Sequence, residues 1–591
     1  MFKIYHFMFL VFGGLAMVRG SPIADASNEN KLTVKIDGLG AIRGKSMKTA
    51  ETIVSPGRNV VSFTGIPYGT IPKRFSPAEL RVPLTPSTED VFDATQPQLA
   101  CWQVASPLVP GPFTEDCLSL NIYTPKVTTT NAISKIYFLQ DIEGDLRRDV
   151  TFVLVSHGNG QPTLPVIFFI HGGSFVRWSG NMFDGRRLLN KDVVVVTINY
   201  RLNIFGFFCL ENDQGPGNLG LYDQVLALNW VKKYIEHFGG DPNKITIAGQ
   251  SAGGASVTFL LDSPMTSNNG LYHAAITSSG DDLAGWTIQA KPRNVSLEAA
   301  AVIGKCYNKD TASNDDETLQ CLRGIPPADL IWFNSTFNGF AAPSVQSFSL
   351  SIPKVTPVSP YVALATNGAQ SQVPLMIGSN KNDGSIFLSR IYSSFLLPNG
   401  LANNATYLKT QFVSDLLSST NFGIVDRPLG ILDTVVNTYL GSSKNTGVFS
   451  DIAPGLVDIF SVFYFKSAVF ATAKGHSKFA DTYVYSFDYE GVQTLYPYTG
   501  GVPQVPRGVA HIDDLMYLFF FGDFTSLQDK LMSTMMVDFW TNFATTKNPN
   551  GKSPLVKKWP KFTVDGGEFF KINTIPSVGS DYVNYWVDAT D

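Results

Sequence analysis

Unbroken apolar runs, rather than alternating ones, mark the middle of the chain. Residues 166–170 and 193–198 are apolar nearly throughout, as expected of strands covered on both faces. Shorter runs of the same kind occur at 245–248, 274–276 and 373–378, and Thr482–Phe487 reads as a further strand. Between them the period changes to that of a helix. Residues 221–238 place Leu226, Trp230, Val231, Ile235 and Phe238 on one side, and 255–261 and 531–544 carry similar spacing. Strands alternating with helices predict an α/β fold with a mostly parallel central sheet and helices on both faces. Before this core, 32–36 and 60–63 read as strands of an opening meander, 65–69 as a Pro/Gly-rich connection, and 115–123 as a return to strand alternation. Residues 296–355 and 387–474 are helix-rich and read as an inserted cap. The whole of 21–591 is expected to form a single domain.

The N-terminus follows a different pattern. Lys3 precedes an apolar stretch over 4–18, and Val18 and Gly20 suit a small-residue cleavage site. Residues 1–20 therefore read as a secretory signal peptide, short for a bilayer span. No other run reaches spanning length, and the C-terminus carries neither an anchor-signal tail nor a retention tetrapeptide. A secreted, extracellular protein without a membrane span is the expectation.

Composition sharpens this picture in three places. A net charge of −4 over 591 residues gives no footprint for nucleic acid. Five cysteines suit an oxidising compartment. Cys101 with Cys117, and Cys306 with Cys321, bracket two short loops and are the expected local pairings, although sequence does not fix connectivity. Cys209, in the apolar run 205–209, reads as a buried free thiol. Sequons stand at Asn294, Asn334 and Asn404 and permit glycosylation. No His/Cys set has metal-ligand spacing, so neither a metal nor another cofactor is expected.

Residues 126–165 break the pattern. Two apolar runs, 136–139 and 153–155, are separated by charged residues, and His157-Gly158 echoes the later His171-Gly172. A surface excursion and a segment added by a faulty gene model both account for this atypical insertion, centred on 127–163; the second is the preferred reading.

Chemistry converges on Gly249-Gln250-Ser251-Ala252-Gly253. A Gly-x-Ser-x-Gly run alone arises by chance, but here it lies between a short strand and a helical segment, the setting of a nucleophile elbow. Such a serine needs a base, and the base needs an orienting acid, in chain order Ser, acid, His. His6, His157, His171 and His237 precede Ser251, and His273 lies in the lead-in to a strand. His476 ends a helical stretch, whereas His511 follows the loop leaving Thr482–Phe487, where a base can reach back to the elbow. His511 is preferred. Asp383 is the carboxylate of the loop after the 373–377 strand; taken alone it reads as a solvated Asp-Gly turn. Backbone N–H groups of Ala252 and of Gly173 and Ser174, in His171-Gly172-Gly173-Ser174-Phe175, are the candidate oxyanion donors.

With these residues in place, the chain resembles the type-B carboxylesterase and cholinesterase family of α/β-hydrolases. The resemblance rests on 238–253, which fits the family's serine signature throughout. It rests also on 115–125, with Ser119 where an aromatic or Thr is usual, and on 199–203 and 217–224. It implies an α/β-hydrolase fold, two short disulfide loops, and metal-free hydrolysis of small-molecule carboxylic esters through an acyl-enzyme. Asp383 replaces the Glu of many members, and Gln250 the Glu common before the serine. Trp102 lies beside Cys101, not where the cholinesterases' choline-binding tryptophan stands, so acetylcholine is not expected as a substrate. Gln250, Arg74-Phe75, Asp223-Gln224 and Gly508-x-x-His511-x-x-Asp514 together look like the juvenile hormone esterase pattern. A lipase or sterol esterase using the aromatic-rich stretch 333–348, and a non-catalytic adhesion-type relative, are the rival readings.

Overall fold

The computed structural model describes residues 32–580 and Tyr582, apart from 54–55, 88–89, 126–162, 268, 310–313, 332–340, 367–370, 420–430 and 552–556. The expected signal peptide, residues 127–162 of the insertion, the Asn334 sequon and part of the aromatic stretch 333–348 lie outside the described residues.

A single sheet positions everything that follows. Its strands are β1 (Lys45–Lys48), β2 (Asn59–Pro67), β3 (Ser119–Thr124), β4 (Leu164–Ile170), β5 (Val194–Ile198), β6 (Gly240–Gln250), β7 (Ala274–Ser278), β8 (Leu375–Asn380), β9 (Thr482–Phe487), β10 (Phe569–Ile572) and β11 (Ser577–Gly579). They lie in the order β11-β10-β9-β8-β7-β6-β4-β5-β3-β2-β1. From β5 to β10 neighbours are parallel, with Phe168 of β4 opposite both Val196 of β5 and Ile247 of β6. The chain runs from β4 to β5 on one side, then returns to place β6 on the other. The carboxyl ends of β4 and β6 therefore flank a topological switch point, where open α/β sheets bind their ligands.

The unbroken apolar runs have a direct cause. Val166, Phe168 and Ile170 of β4 enter one hydrophobic core, and Ile167 and Phe169 enter another on the opposite face. Helices α1 (Leu219–Tyr234) and α2 (Ala252–Asp262) cover the first face. A late helix, Leu527–Thr546, covers the second through Met532, Met536, Trp540 and Phe543. A third cluster, including Leu396, Phe412, Leu456 and Phe460, holds together the helices between β8 and β9.

Several boundaries differ from those the pattern suggests. Residues 65–67 continue β2 rather than leaving it. The amphipathic reading of 221–238 undercounts its burial. Asp223, Gln224, Val225 and Leu228 are buried along with Trp230 and Val231, while Leu226 is only partly covered. The reason is an ion pair. Arg201 Nε and Nη2 lie 2.8 and 2.7 Å from the two oxygens of Asp223, which lets a charged face enter the interior. Strands β10 and β11 carry no long apolar run and were not anticipated.

The helical stretch between β8 and β9 also changes one expectation. Phe449–His476 is long and apolar enough to cross a membrane by length and composition, although 61% of its most apolar window is buried in this fold. Here α3 (Phe449–Ser461) and α4 (Ser467–His476) are joined by a π-helical turn, Val462–Lys466.

The two disulfides form as paired in the sequence reading, Cys101–Cys117 and Cys306–Cys321, with Cα separations of 4.9 and 5.4 Å. Cys209 is free and buried, and burial pushes its thiol up to about 11. Asn294 and Asn404 are exposed. Asn404 caps a short helix by accepting from Tyr407 N.

Candidate active site

Ser251 stands between β6 and α2 with φ 57° and ψ −127°, outside the regions side chains favour. Close packing holds it there. A side chain at Gly249 would strike the backbone of Gly253, one at Gly253 the carbonyl of Ile170, and one at Gly280 the carbonyl of Ser251. Glycine is thus required on three sides of the turn. Ser251 N donates to Ser278 O at 2.9 Å, which braces the turn against the end of β7. The serine is buried to 5% exposure.

His511 comes to this turn from the loop after β9. Its Nδ1 lies 2.8 Å from Asp383 Oδ1, and its Nε2 lies 3.2 Å from Gln250 Nε2. The amide nitrogen of Gln250 can only donate, so His511 Nε2 accepts and Nδ1–H donates to Asp383. The imidazole therefore presents its lone pair to the residue next to Ser251. Asp383 is fully buried, and its second oxygen accepts from Asn380 N at 3.0 Å.

Backbone bonds clip the acid and base loops to each other. Asn382 N donates to Val509 O at 3.0 Å, Val509 N donates to Asn382 Oδ1 at 3.0 Å, and Asn380 Nδ2 donates to Ala510 O at 2.7 Å. Gly508 sits at φ +54°, and a side chain there would collide with the Asn382 carboxamide. On the far side of the histidine, Ile512 is held at φ +78° and is fully buried. A β-branched residue in that conformation is strained, and tight surroundings maintain it.

The glycine-rich loop lies directly against the elbow. A side chain on Gly172 would lie 2.9 Å from Ser251 Cβ. Gly173, Ser174 and Phe175 all have positive φ, at 102°, 57° and 59°. The amides of Gly173, Ser174 and Ala252 take no acceptor among the described residues, whereas the Gly173 carbonyl accepts from Val176 N and Arg177 N. His171 anchors the loop: its ring stacks on Tyr200 at 4.5 Å, and the Tyr200 hydroxyl donates to His171 O. Burial pushes the His171 imidazole down to about 4, so it packs as a neutral ring.

The other histidines fall elsewhere. His476 is buried with Nε2 2.8 Å from Val373 O. His273 accepts from Ile245 N at the foot of the sheet. Arg74, set among the motif residues above, pairs with Glu115 and donates to the carbonyls of Leu322 and Ile325. With Arg201–Asp223 it ties loops to the scaffold and does not reach the serine.

Residues to which the sequence assigns no role complete the site. Phe465, on the π-helical turn, lies 4.8 Å from the His511 ring, and Phe387 lies 6.4 Å from it. Asp514 accepts from Ser278 Oγ at 2.5 Å and from Asn380 Nδ2 at 3.3 Å. Burial, with the nearby Asp383 charge adding to it, raises Asp514 to about 6. Lys466 is buried and donates to Lys381 O, beneath the acid loop. Burial drops its ammonium to about 7.

The strand order, the sharp strand-to-helix turn at the switch point and the loops after β8 and β9 define an α/β-hydrolase. Residues 30–586 match the model of the Carboxylesterase family, and the chain belongs to that family. It is 31% identical over 542 residues to Juvenile hormone esterase of Tribolium castaneum, covering 87% of this chain and 84% of that protein. It is 30% identical over 610 residues to Carboxylesterase 5A of Felis catus, covering 97% and 96%. Similarity extends to Neuroligin-2 of Homo sapiens, 28% identical over 615 residues, covering 95% and 68%.

Proposed function

We propose that the protein is a secreted serine carboxylesterase working through an acyl-enzyme on Ser251. The observation that carries this reading is His511 held between Asp383 and the Gln250-Ser251 turn. Ser251 Oγ attacks the ester carbonyl while His511 Nε2 takes its proton. Asp383 keeps Nδ1 protonated and stabilises the imidazolium that forms. The amides of Gly173, Ser174 and Ala252 receive the oxyanion, and losing one such donor typically costs about 3 kcal/mol of transition-state stabilisation. As the intermediate collapses, His511 gives its proton to the leaving alcohol. Water, activated by the same imidazole, then hydrolyses the acyl-enzyme and restores the serine. The two disulfides support an oxidising, extracellular setting.

Similarity to Juvenile hormone esterase and Carboxylesterase 5A supports an ester substrate, and Gln250 with the Gly508-to-Asp514 run favours a juvenile hormone esterase-like member. Similarity to Neuroligin-2 over nearly the whole chain supports a second, non-catalytic reading. A fluorophosphonate probe separates the two. The esterase reading expects stoichiometric labelling and a burst with 4-nitrophenyl acetate, both lost in Ser251→Ala. An unlabelled, folded wild-type protein would leave the non-catalytic reading standing.

A further inference from the structure

Two arginines beside the site take no part in the chemistry above. Arg177 lies on the glycine-rich loop: its amide donates to Gly173 O at 3.1 Å, and its Cγ lies 3.0 Å from where a side chain on Gly173 would begin. Arg390 belongs to the helix Ser385–Ile391, which starts two residues after Asp383. Its guanidinium lies over the Phe387 ring at 5.6 Å, and that ring in turn faces His511. One cation thus rises from the loop of candidate oxyanion donors, and the other from the helix behind the acid.

Among the described residues, the Arg177 side chain makes no hydrogen bond or ion pair, and the Arg390 side chain meets only the face of Phe387. Three other arginines around this fold are matched: Arg201 by Asp223, Arg74 by Glu115, and Arg187 by two carbonyls and two rings. Loss of water lowers both guanidinium groups, Arg390 to about 9, and the charge of Arg177 adds to the effect on Arg390. A carboxylate supplies both the charge and the paired acceptors a guanidinium fork takes. Each residue keeps part of its surface accessible, so a ligand can reach it.

We propose that Arg177 and Arg390 form an anion subsite beside Ser251, and that the ester taken by this protein carries a carboxylate near its scissile bond. The proposal rests on the esterase reading for the chemistry, but its binding part can be tested apart from turnover. Two matched pairs distinguish the acyl from the alcohol side: 4-nitrophenyl hemiglutarate against 4-nitrophenyl methyl glutarate, and 4-acetoxybenzoate against 4-acetoxybenzamide. In one pair the wild type should favour the anionic ester in kcat/KM by about tenfold or more. Arg177→Gln and Arg390→Gln should remove most of that ratio, and Arg390→Lys should restore part of it. A ratio near one in both pairs, or a ratio the folded Gln variants leave unchanged, overturns the proposal. Calorimetric binding of the same esters to Ser251→Ala, with and without Arg390→Gln, gives the turnover-free readout. Arginine-dependent binding of the anionic ester without hydrolysis by the wild type would uphold the subsite and sink the esterase reading. Equal binding of both esters would sink the subsite.

Discussion

Gln250 Nε2 donates to His511 Nε2 across 3.2 Å, so the residue before the serine is a direct neighbour of the base. Its Oε1 is buried and takes no hydrogen bond among the described residues. This amide occupies the lone pair that would receive the serine proton in the proposed mechanism, and it would have to yield as Ser251 engages. A carboxylate at this place would instead attract a proton onto the imidazole.

Gln250→Glu should therefore shift the acidic limb of the kcat/KM–pH profile. The base works only when neutral, and a neighbouring carboxylate stabilises its protonated form. Loss of activity on acidification then begins at higher pH, by about one unit for a charge this close. An unmoved limb, measured with a neutral aryl ester, would remove Gln250 from the pH response.

Asp383→Asn should leave the fold intact and lower kcat by roughly 10³- to 10⁴-fold. The Asn amide can present its NH₂ to His511 Nδ1 and reverse the tautomer, so that Nε2 carries the hydrogen and cannot accept. Burst kinetics with 4-nitrophenyl acetate would report the loss in the acylation step. Loss confined to deacylation would contradict the assignment.

Gly508→Ala tests the clip between the two loops. The substitution forces a side chain into a left-handed residue and against the Asn382 carboxamide, a strain of about 1–3 kcal/mol. Activity should fall more steeply than thermal stability predicts, because the displaced loop carries His511. A variant with reduced Tm and full kcat would show that the clip does not set the histidine's position.

Stability should decline as pH rises through the mildly acidic range. Burial raises the carboxyls of Asp281 and Asp282, Asp281 to about 7, and one oxygen of each has no hydrogen bond. Between about pH 4, where an unfolded Asp ionises, and pH 7 the folded state holds more protons than the unfolded state. Protonation thus favours folding below that window and the benefit is lost on passing upward through it. Asp281→Asn should flatten this slope and raise Tm at pH 8 relative to the wild type, measured by scanning calorimetry at several pH values. Leu283 N, which now donates to Asp281 Oδ1, can keep that bond to the Asn oxygen.

The parallel strands and the elbow were legible because their chemistry is local. A strand buried on both faces must be apolar throughout, and a tight elbow needs small residues at fixed offsets. His511 and Asp383 followed from chain order and their places after strands; the structure brings their side chains together. Other features depend on contacts distant in sequence. Asp223 reads as a helix-surface charge until Arg201 is seen beside it. Phe465 reads as one more aromatic in an apolar helix, and only the π-helical turn sets it against the His511 ring. Strands β10 and β11 are short, and what defines them is pairing, β10 with β9 and β11 with β10. Asp514 gave a motif position but no role, because its partner Ser278 lies 236 residues away.

The clip joining Asn382 to Val509 has a consequence in time as well as space. The acid and the base are 128 residues apart, and their loops meet only when β9 lies beside β8. A nascent chain can form β4, β6 and the elbow, then carry an exposed serine with neither partner in place. If His511 is the base proposed above, hydrolytic activity begins only after residue 511 has emerged from synthesis and docked. Under the proposed mechanism the chain stays silent until β9 has docked beside β8.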